Sequence, residues 1–175
     1  MISIFSSVYF EENRLVPEKL IQLRPYGISL NHDPTRPVMI LKDETGRHTM
    51  PVAINPLEAG VALQQANPSA MLTTPHRVTE KLLESLKIKI EKAIFVEIKD
   101  HHQYMRLFFD GHPSQGSLKV RAEEAMSLCL HLGVGLWATV EFIEKSRHMS
   151  MELDGISAGL HMHAAVLNKT HHYLM

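Results

Sequence analysis

The chain has 175 residues, of which 45% are hydrophobic and 21% charged, and its formal net charge is −1. This composition is typical of one globular domain with short extensions and excludes wholesale disorder. It also excludes the strong overall basic bias that accompanies tight, sequence-independent DNA binding, while leaving room for a local basic patch.

The N-terminal part of the chain predicts strands. Residues 1–19 form an N-terminal extension with an apolar, β-prone stretch near its start. Residues 20–30 favour a strand that either bends or lies at a sheet edge, because Pro25 and Gly27 interrupt it. A β-hairpin follows, from 38–42 through a glycine-containing loop into 47–54.

Three helices are predicted from their start signals and apolar spacing. Asn55 is a good N-cap and Pro56 suits a first turn, so a helix begins there and runs to about residue 66. A second helix spans 75–86, and a third spans 122–132. The second helix places a row of apolar residues on one face, with charged residues outside: Val78, Leu82, Leu83 and Leu86.

Between the second and third helices, the pattern predicts an antiparallel β-meander with one solvated face. Apolar residues alternate with polar ones over 88–98, with an irregularity near Ala93, and two further strands cover 104–109 and 117–121. A short apolar segment at 134–138 leads into a short helix at 140–146.

These elements predict an α+β fold with a mostly antiparallel or mixed sheet covered by helices. The domain spans 20–146, and residues 147–175 form a C-terminal extension with a possible helix at 156–167. The N-terminus lacks a basic region with a cleavage site, and the chain lacks an apolar run of about 18 residues. We therefore expect a cytoplasmic protein that does not enter a membrane.

Cysteine and histidine usage limits the possible metal sites. Cys129 is the only cysteine and falls inside an apolar helical pattern, so a buried, inert thiol is predicted and an internal disulfide is excluded. The 12 histidines include clusters at 101–102, 161 with 163, and 171–172. Such clusters can bind metal or sense pH, but for the C-terminal ones a solvated tail is the better explanation.

Four stretches of the chain resemble the bifunctional nuclease domain family, in the order in which the family has them. They are the hairpin strand Pro-Val-Met-Ile-Leu-Lys-Asp at 37–43, Met-Pro-Val-Ala-Ile-Asn-Pro-Leu-Glu-Ala at 50–59, the helix start Pro-His-Arg-Val at 75–78, and Val-Arg-Ala-Glu-Glu-Ala at 120–125. The resemblance covers roughly seven-tenths of the chain. It implies an α+β domain, and some family members are reported to degrade both RNA and DNA.

The resemblance keeps some polar positions and changes others. Glu58, His76 and Arg121 match the family, and Glu124 keeps an acid in place of aspartate. The chain departs from the family at four positions. It has Asn55 where the family has glycine, Arg77 where the family has aspartate, Ala122 where the family has proline and Glu123 where the family has serine. Because two of these changes alter charge beside the motif, they predict weakened or lost phosphodiesterase activity.

The resemblance implies roles for these residues in phosphodiester hydrolysis. Glu58, Glu123 and Glu124 would hold Mg²⁺ or Mn²⁺, Arg121 would clamp a phosphate, and His76 would shuttle a proton. Each residue also has a structural explanation. Acids are favoured in the first turn of a helix, an arginine can pair with them, and a histidine can bond locally.

A second hypothesis is a non-catalytic domain that forms a homo-oligomer or binds a partner. Several features suit contact surfaces: the nearly neutral net charge, the altered motifs, the terminal extensions and the ten methionines. A nuclease would gather Glu58, His76, Arg121 and Glu124 around one cleft and would bind RNA or DNA. A binding domain would leave them dispersed in structural ion pairs.

Overall fold

The computed structural model describes residues 19–29, 37–65, 75–111 and 116–151. Within these ranges the chain folds as one seven-stranded mixed sheet with four helices, which confirms the predicted α+β fold. The strands are β1 Leu20–Ser29, β2 Val38–Lys42, β3 Thr49–Ala53, β4 Lys89–Lys99, β5 His102–Asp110, β6 Ser117–Arg121 and β7 Gly135–Thr139. The helices are α1 Pro56–Gln65, α2 His76–Ser85, α3 Ala122–His131 and α4 over 140–151.

The strand order is β3-β2-β1-β7-β4-β5-β6. All neighbours are antiparallel except β4 and β7, which pair in parallel. The predicted hairpin and meander are both confirmed. β1 lies inside the sheet between β2 and β7, so the edge-strand alternative is wrong. The strand is interrupted instead by a shift of register between Pro25 and Gly27. At this irregularity the sheet tolerates proline, which has no backbone N–H to donate.

The core lies between the sheet and α3. Leu41, Met50 and Val52 from β2 and β3 meet Met105 from β5 and Met126 from α3, and all five are fully buried. Cys129 lies in this core, as predicted, and burial raises the pKa of its thiol to about 12. The thiol is therefore protonated and inert at neutral pH.

Two elements after α3 are more regular or longer than predicted. The apolar segment at 134–138 becomes strand β7, and the helix predicted at 140–146 continues over 140–151. Phe142 of α4 packs on Phe95 of β4, with ring centroids 5.6 Å apart, so α4 covers part of the sheet. The β-prone N-terminal stretch, the possible helix at 156–167 and the C-terminal histidines lie outside the described residues. None of the helices in the described ranges has the length and apolar character needed to cross a bilayer.

Helix α2 differs most from its prediction. It begins and ends as expected, but no residue of this helix is buried. Its predicted apolar face points largely to solvent, with Val78 65% exposed and Leu82 57% exposed, and Leu86 just beyond its end is 63% exposed. Leu83 alone of the four packs partly against the core. Amphipathic spacing predicted the helix correctly, but spacing cannot tell whether the fold supplies a surface for the apolar face.

Candidate functional site

Strand β6 turns directly into α3 at Arg121. The backbone of Arg121 is still extended, with φ −69° and ψ 139°, and the helix begins at Ala122. Glu123 and Glu124 therefore occupy the first turn, where the partial positive charge of the helix N-terminus favours carboxylates. Glu123 is half-buried while Glu124 is exposed. The local sequence thus delivers one cation and two acids to a single corner.

At this corner one carboxylate oxygen meets two basic side chains. Oε1 of Glu123 lies 3.2 Å from Nδ1 of His102 and 3.4 Å from Nη1 of Arg121. Arg121 is also hydrogen-bonded to Tyr104, which is the main cause of its raised pKa, followed by Glu123 and Glu124. Arg121 is therefore a permanent cation, and we refer to His102, Arg121 and Glu123 as the corner site.

The turn before β5 delivers His102 to this site. Asp100 and His101 both adopt positive φ, at 51° and 60°, and Lys99 pairs with His102 across the turn. This is a two-residue hairpin of the kind whose twist suits antiparallel strands. Positive φ is uncommon outside glycine, although aspartate and histidine tolerate it better than most residues. The turn places the side chain of His102 beside α3.

Hydrogen bonds from the buried side chain of Gln103 connect two strands beneath the corner site. Gln103 is 4% exposed, and its Nε2 donates to the carbonyl oxygen of Pro51 at 2.9 Å. Its Oε1 accepts a bond from the backbone N–H of Ala53 at 3.3 Å. These bonds tie β3 to β5 beneath the site. A small surface depression opens there, lined by Ala53, His101, His102, Gln103, Ala122 and Glu123.

A second polar cluster joins α1, α2 and α3. Nε2 of His76 shares a 2.6 Å hydrogen bond with Oγ of Ser127 and lies 3.6 Å from Oε2 of Glu58. Next to it, Nε2 of His131 lies 3.1 Å from Oε2 of Glu80, and the two imidazole rings have centroids 5.9 Å apart. We call these five residues the helix clasp.

The helix clasp contains a serine, a histidine and a glutamate, but not in the geometry of a nucleophilic triad. In such a triad the serine and the acid contact opposite nitrogens of the imidazole. Here Ser127 and Glu58 both approach Nε2 of His76. Ser127 is moreover 1% exposed, so its hydroxyl has no access to a substrate. The contacts favour a structural role, which is to hold α2 on α3.

The corner site and the helix clasp lie on one face of α3. Glu123, Ser127 and His131 are spaced four residues apart, and such residues are neighbours on consecutive turns. Each one contacts a side chain from another element. The two clusters are therefore adjacent along a continuous polar row.

The outward face of β4, β5 and β6 carries cations and aromatic rings. Residues paired across neighbouring strands point to the same face, and the register places Tyr104 beside Arg121 and Arg106 beside Lys119. Side-chain contacts agree with this register. Nζ of Lys92 lies 5.1 Å from the ring centroid of Phe108, and Nζ of Lys119 lies 5.2 Å from that of Tyr104.

The charge on this outward face is mainly positive. Lys119 forms an ion pair with Glu97 on β4, and the hydrogen bond from Lys119 lowers the pKa of that carboxyl. Paired residues on the face carry the following charges: cations Lys89, Lys92, Lys99, Arg106, Lys119 and Arg121, and the carboxylates Glu97 and Asp110. We call this surface the basic sheet face. It ends at Arg121, which also belongs to the corner site.

The structure divides the residues singled out from the sequence into two groups. Glu58 lies with His76 in the helix clasp, whereas Arg121 lies with Glu123 in the corner site. Glu124 is exposed beside the corner site. Within the described residues, no three histidine, cysteine, aspartate or glutamate side chains are arranged to hold a metal ion. The three glutamates predicted as ligands therefore do not form a preassembled Mg²⁺ or Mn²⁺ site.

Sequence reasoning noted His102 only as part of a histidine cluster and did not assign roles to Tyr104, Ser127 and His131. The four-residue spacing of Glu123, Ser127 and His131 was a signal that could have linked the last two to the site. The contact between His102 and Glu123 had no such signal, because 21 positions separate them in the chain and only the sheet brings them together.

Comparison with known proteins agrees with this architecture. A family model described as the bifunctional nuclease domain matches residues 39–151. Two uncharacterized proteins from two strains of Mycobacterium tuberculosis are each 26% identical to the chain over 121 residues. Each alignment covers 69% of this chain and 71% of the mycobacterial protein.

Proposed function

This chain belongs to the bifunctional nuclease domain family, and from that premise we propose that it hydrolyses phosphodiester bonds in single-stranded nucleic acid at the corner site. The observation that carries the proposal is the contact of one half-buried carboxylate, Glu123, with both a histidine and an arginine. This arrangement combines a proton-transfer group with an anion-binding group.

Each residue of the corner site has a distinct task in the proposed reaction. Glu123 accepts the Nδ1–H of His102, which fixes the tautomer and leaves Nε2 to take a proton from the attacking water or to give one to the leaving oxygen. Arg121 binds the phosphate oxygens and stabilises the negative charge that develops on them. His102 replaces His76 as the proposed proton shuttle, because His76 is bonded through Nε2 to the buried Ser127.

The basic sheet face supports a single-stranded substrate. Aromatic rings offer surfaces on which unpaired bases stack, and cations track the backbone phosphates. Tyr104 and Phe108 supply the rings, and Arg121 connects the face to the corner site. A strand lying along β5 would thus present a phosphate to Arg121.

The proposed reaction contains no step carried by a metal ion. Arg121 and the Nδ1–H of His102 compete with a metal for the carboxylate of Glu123, and the remaining candidate ligands are not gathered around it. We therefore expect cleavage to persist in EDTA. Dependence on Mg²⁺ or Mn²⁺ would instead support the hypothesis that Glu58, Glu123 and Glu124 provide metal ligands.

A cleavage assay tests the proposal directly. The purified protein is incubated with end-labelled single-stranded RNA and DNA, with Mg²⁺, Mn²⁺ or EDTA. His102→Ala, which removes the general acid–base group, and Arg121→Ala, which removes the group that stabilises the charge on the phosphate, are each expected to slow cleavage by about 100-fold or more. His148→Ala, which removes an exposed histidine of α4, is the matched control and should cleave normally. Cleavage no faster than that of the His102→Ala, Arg121→Ala double variant would reject the nuclease proposal.

A second candidate function, a non-catalytic binding domain, is favoured by the separation of Glu58 and His76 from Arg121 and Glu124 and by the exposed apolar face of α2. A non-catalytic domain that binds a partner or oligomerises would require such a surface, and α2 carries one that the rest of the described chain leaves uncovered. Failure of the cleavage assay together with specific association through α2 would support this alternative.

A further inference from the structure

Four side chains follow one another along the outward face of β5. Alternate residues of a strand point to the same face, and burial along β5 alternates accordingly, since residues 103, 105 and 107 are buried while these four are half-buried. In chain order they are a histidine, an aromatic ring, a cation and a second aromatic ring: His102, Tyr104, Arg106 and Phe108. We call them the β5 row. His102 belongs to the corner site, so the row begins at the proposed reaction centre.

Each ring of the β5 row has a lysine beside it from a neighbouring strand. Nζ of Lys119 on β6 lies 5.2 Å from the ring centroid of Tyr104, and Nζ of Lys92 on β4 lies 5.1 Å from that of Phe108. Both lysines are exposed, and their long side chains can move from the ring to a phosphate beside it. The row therefore combines two surfaces for flat aromatic groups with a positive charge next to each.

The spacing of the β5 row matches an extended single strand. Neighbours in the row are two residues apart, about 7 Å, so the two rings are about 13 Å apart. A nucleic-acid strand advances about 3.4 Å per nucleotide when its bases are stacked and about twice that when they are splayed apart. Each step of the row thus spans one extended nucleotide. Every β-strand has this spacing, but β5 places its rings two steps apart with Arg106 between them.

We propose that the β5 row binds three consecutive nucleotides on one side of the scissile phosphate, an inference that rests on the phosphodiesterase function proposed above. The first base stacks on Tyr104, whose cross-strand partner is Arg121 of the corner site. The third base stacks on Phe108. The nucleotide between them meets the guanidinium of Arg106, which is tied to β6 because its Nη1 donates to Oγ of Ser117 at 3.2 Å. A substrate therefore needs at least three nucleotides beside the bond that is cleaved.

A single-stranded nucleic acid suits this surface better than an acidic peptide. Cations outnumber carboxylates among the paired residues of the basic sheet face, and this excess attracts polyanions of either kind. A nucleic-acid strand carries a flat base with every phosphate, so it can occupy the two rings and the cations at the same time. An acidic peptide supplies the negative charges without the bases.

Removal of single bases from a trinucleotide tests this register. The probe is trithymidylate with a phosphate at both ends, titrated calorimetrically into His102→Ala, which the proposed function makes inactive. Loss of either terminal base should weaken binding at least about fivefold, because each removes one stacked base, whereas loss of the central base should weaken it less than about twofold. Equal losses at all three positions, or no binding of the intact trinucleotide at millimolar concentration, overturn the proposal.

Variants of Phe108, made in the same His102→Ala background, assign one end of the trinucleotide. Phe108→Ala should weaken the intact trinucleotide at least about fivefold, but it should have no further effect on one of the two trinucleotides that lack a terminal base. Phe108→Trp retains a stacking ring and should bind normally. Tyr26→Ala is the matched control, since that ring has Lys42 Nζ 3.3 Å from its centroid but lies on β1. Circular dichroism verifies that each variant is folded. Equal effects of Phe108→Ala on both base-deleted trinucleotides overturn the register.

The register and the nuclease function fail separately. Binding with the expected pattern, but without cleavage by the wild type, supports the β5 row and rejects the nuclease. If the wild type cleaves, digestion of an end-labelled strand should stop three nucleotides from one end, and cleavage down to mononucleotides at both ends overturns the register alone. A hexaglutamate peptide that binds as tightly as the trinucleotide, and is weakened equally by Phe108→Ala, would assign the face to an acidic protein instead.

Discussion

Nδ1 of His102 lies 3.2 Å from Oε1 of Glu123, although the first residue begins β5 and the second lies in the first turn of α3. The contact exists because β6 pairs with β5 and then runs directly into α3. A histidine oriented by a carboxylate and placed beside a permanent cation is the arrangement on which the proposed chemistry depends. The same helix face continues to Ser127, so the site and the helix clasp share one support.

Removal of the Ser127 hydroxyl tests whether the helix clasp is structural. Ser127→Ala leaves the imidazole of His76 without its 2.6 Å partner in a partly buried setting. We expect the free energy of unfolding to fall by about 1–3 kcal/mol, measured by urea denaturation. Ser85→Ala, at an exposed position of α2, should change stability by less than about 0.5 kcal/mol. Loss of cleavage in Ser127→Ala without loss of stability would instead assign Ser127 a role in the reaction.

The basic sheet face should bind unpaired bases through its aromatic rings. Phe108→Ala is expected to weaken binding of a single-stranded oligonucleotide by about 1–3 kcal/mol, because one stacking surface is lost. Fluorescence anisotropy would measure this effect. Tyr26→Ala removes an exposed aromatic ring on β1, away from the proposed face, and should leave affinity unchanged. Equal losses in both variants would argue against a defined binding face.

Phosphate contacts on the same face should appear in the salt dependence of binding. Lys92 lies on this face near the ring of Phe108. If it neutralises one phosphate, Lys92→Ala should reduce the slope of log affinity against log salt concentration by about 0.7. The measurement is a titration repeated at several salt concentrations. An unchanged slope would show that Lys92 does not contact the nucleic acid.

The ion pair between Lys119 and Glu97 should make part of the stability depend on pH. The hydrogen bond from Lys119 lowers the pKa of Glu97 below its ordinary value of 4.5. Since the folded-state pKa is depressed, this contribution is complete above the unfolded-state value and is lost as the pH falls through the folded value. Glu97→Gln should therefore be less stable than the wild type at pH 6, and the difference should shrink as the pH falls below 4.5 and through the lowered pKa of Glu97. Glu91→Gln, an exposed change on the same strand, is the control.

Two glycines should respond in opposite ways to alanine. Gly111 has φ +81°, and a Cβ added there would lie 2.1 Å from the carbonyl oxygen of Lys87. Gly111→Ala is therefore expected to cost about 2 kcal/mol or more in unfolding free energy. A Cβ added at Gly60 in α1 would have none of the described atoms outside the helix backbone within 4 Å, so Gly60→Ala should stabilise the protein by about 0.5–1 kcal/mol. Thermal unfolding of both variants checks the contrast.

Local signals made much of the fold predictable. Asn55 caps α1 as expected, with its Oδ1 accepting the backbone N–H of Leu57 at 3.0 Å. The strand at 117–121 and the start of α3 at Ala122 were placed correctly, because alternation and a first turn rich in acids are local features. The apolar row of α2 was recognised but not its exposure, because burial depends on which other elements pack against the helix.

The sequence by itself determined the types of all described elements except β7, the burial of Cys129 and the presence of Arg121 with two acids at the start of a helix. Periodicity and helix-start preferences are properties of neighbouring residues, so they can be read along the chain. Only the tertiary structure decided which glutamates meet histidines, and that His76 belongs to the helix clasp while His102 lies at the corner site. Such contacts join residues whose neighbourhood is created by strand pairing and helix packing, and no local pattern records them.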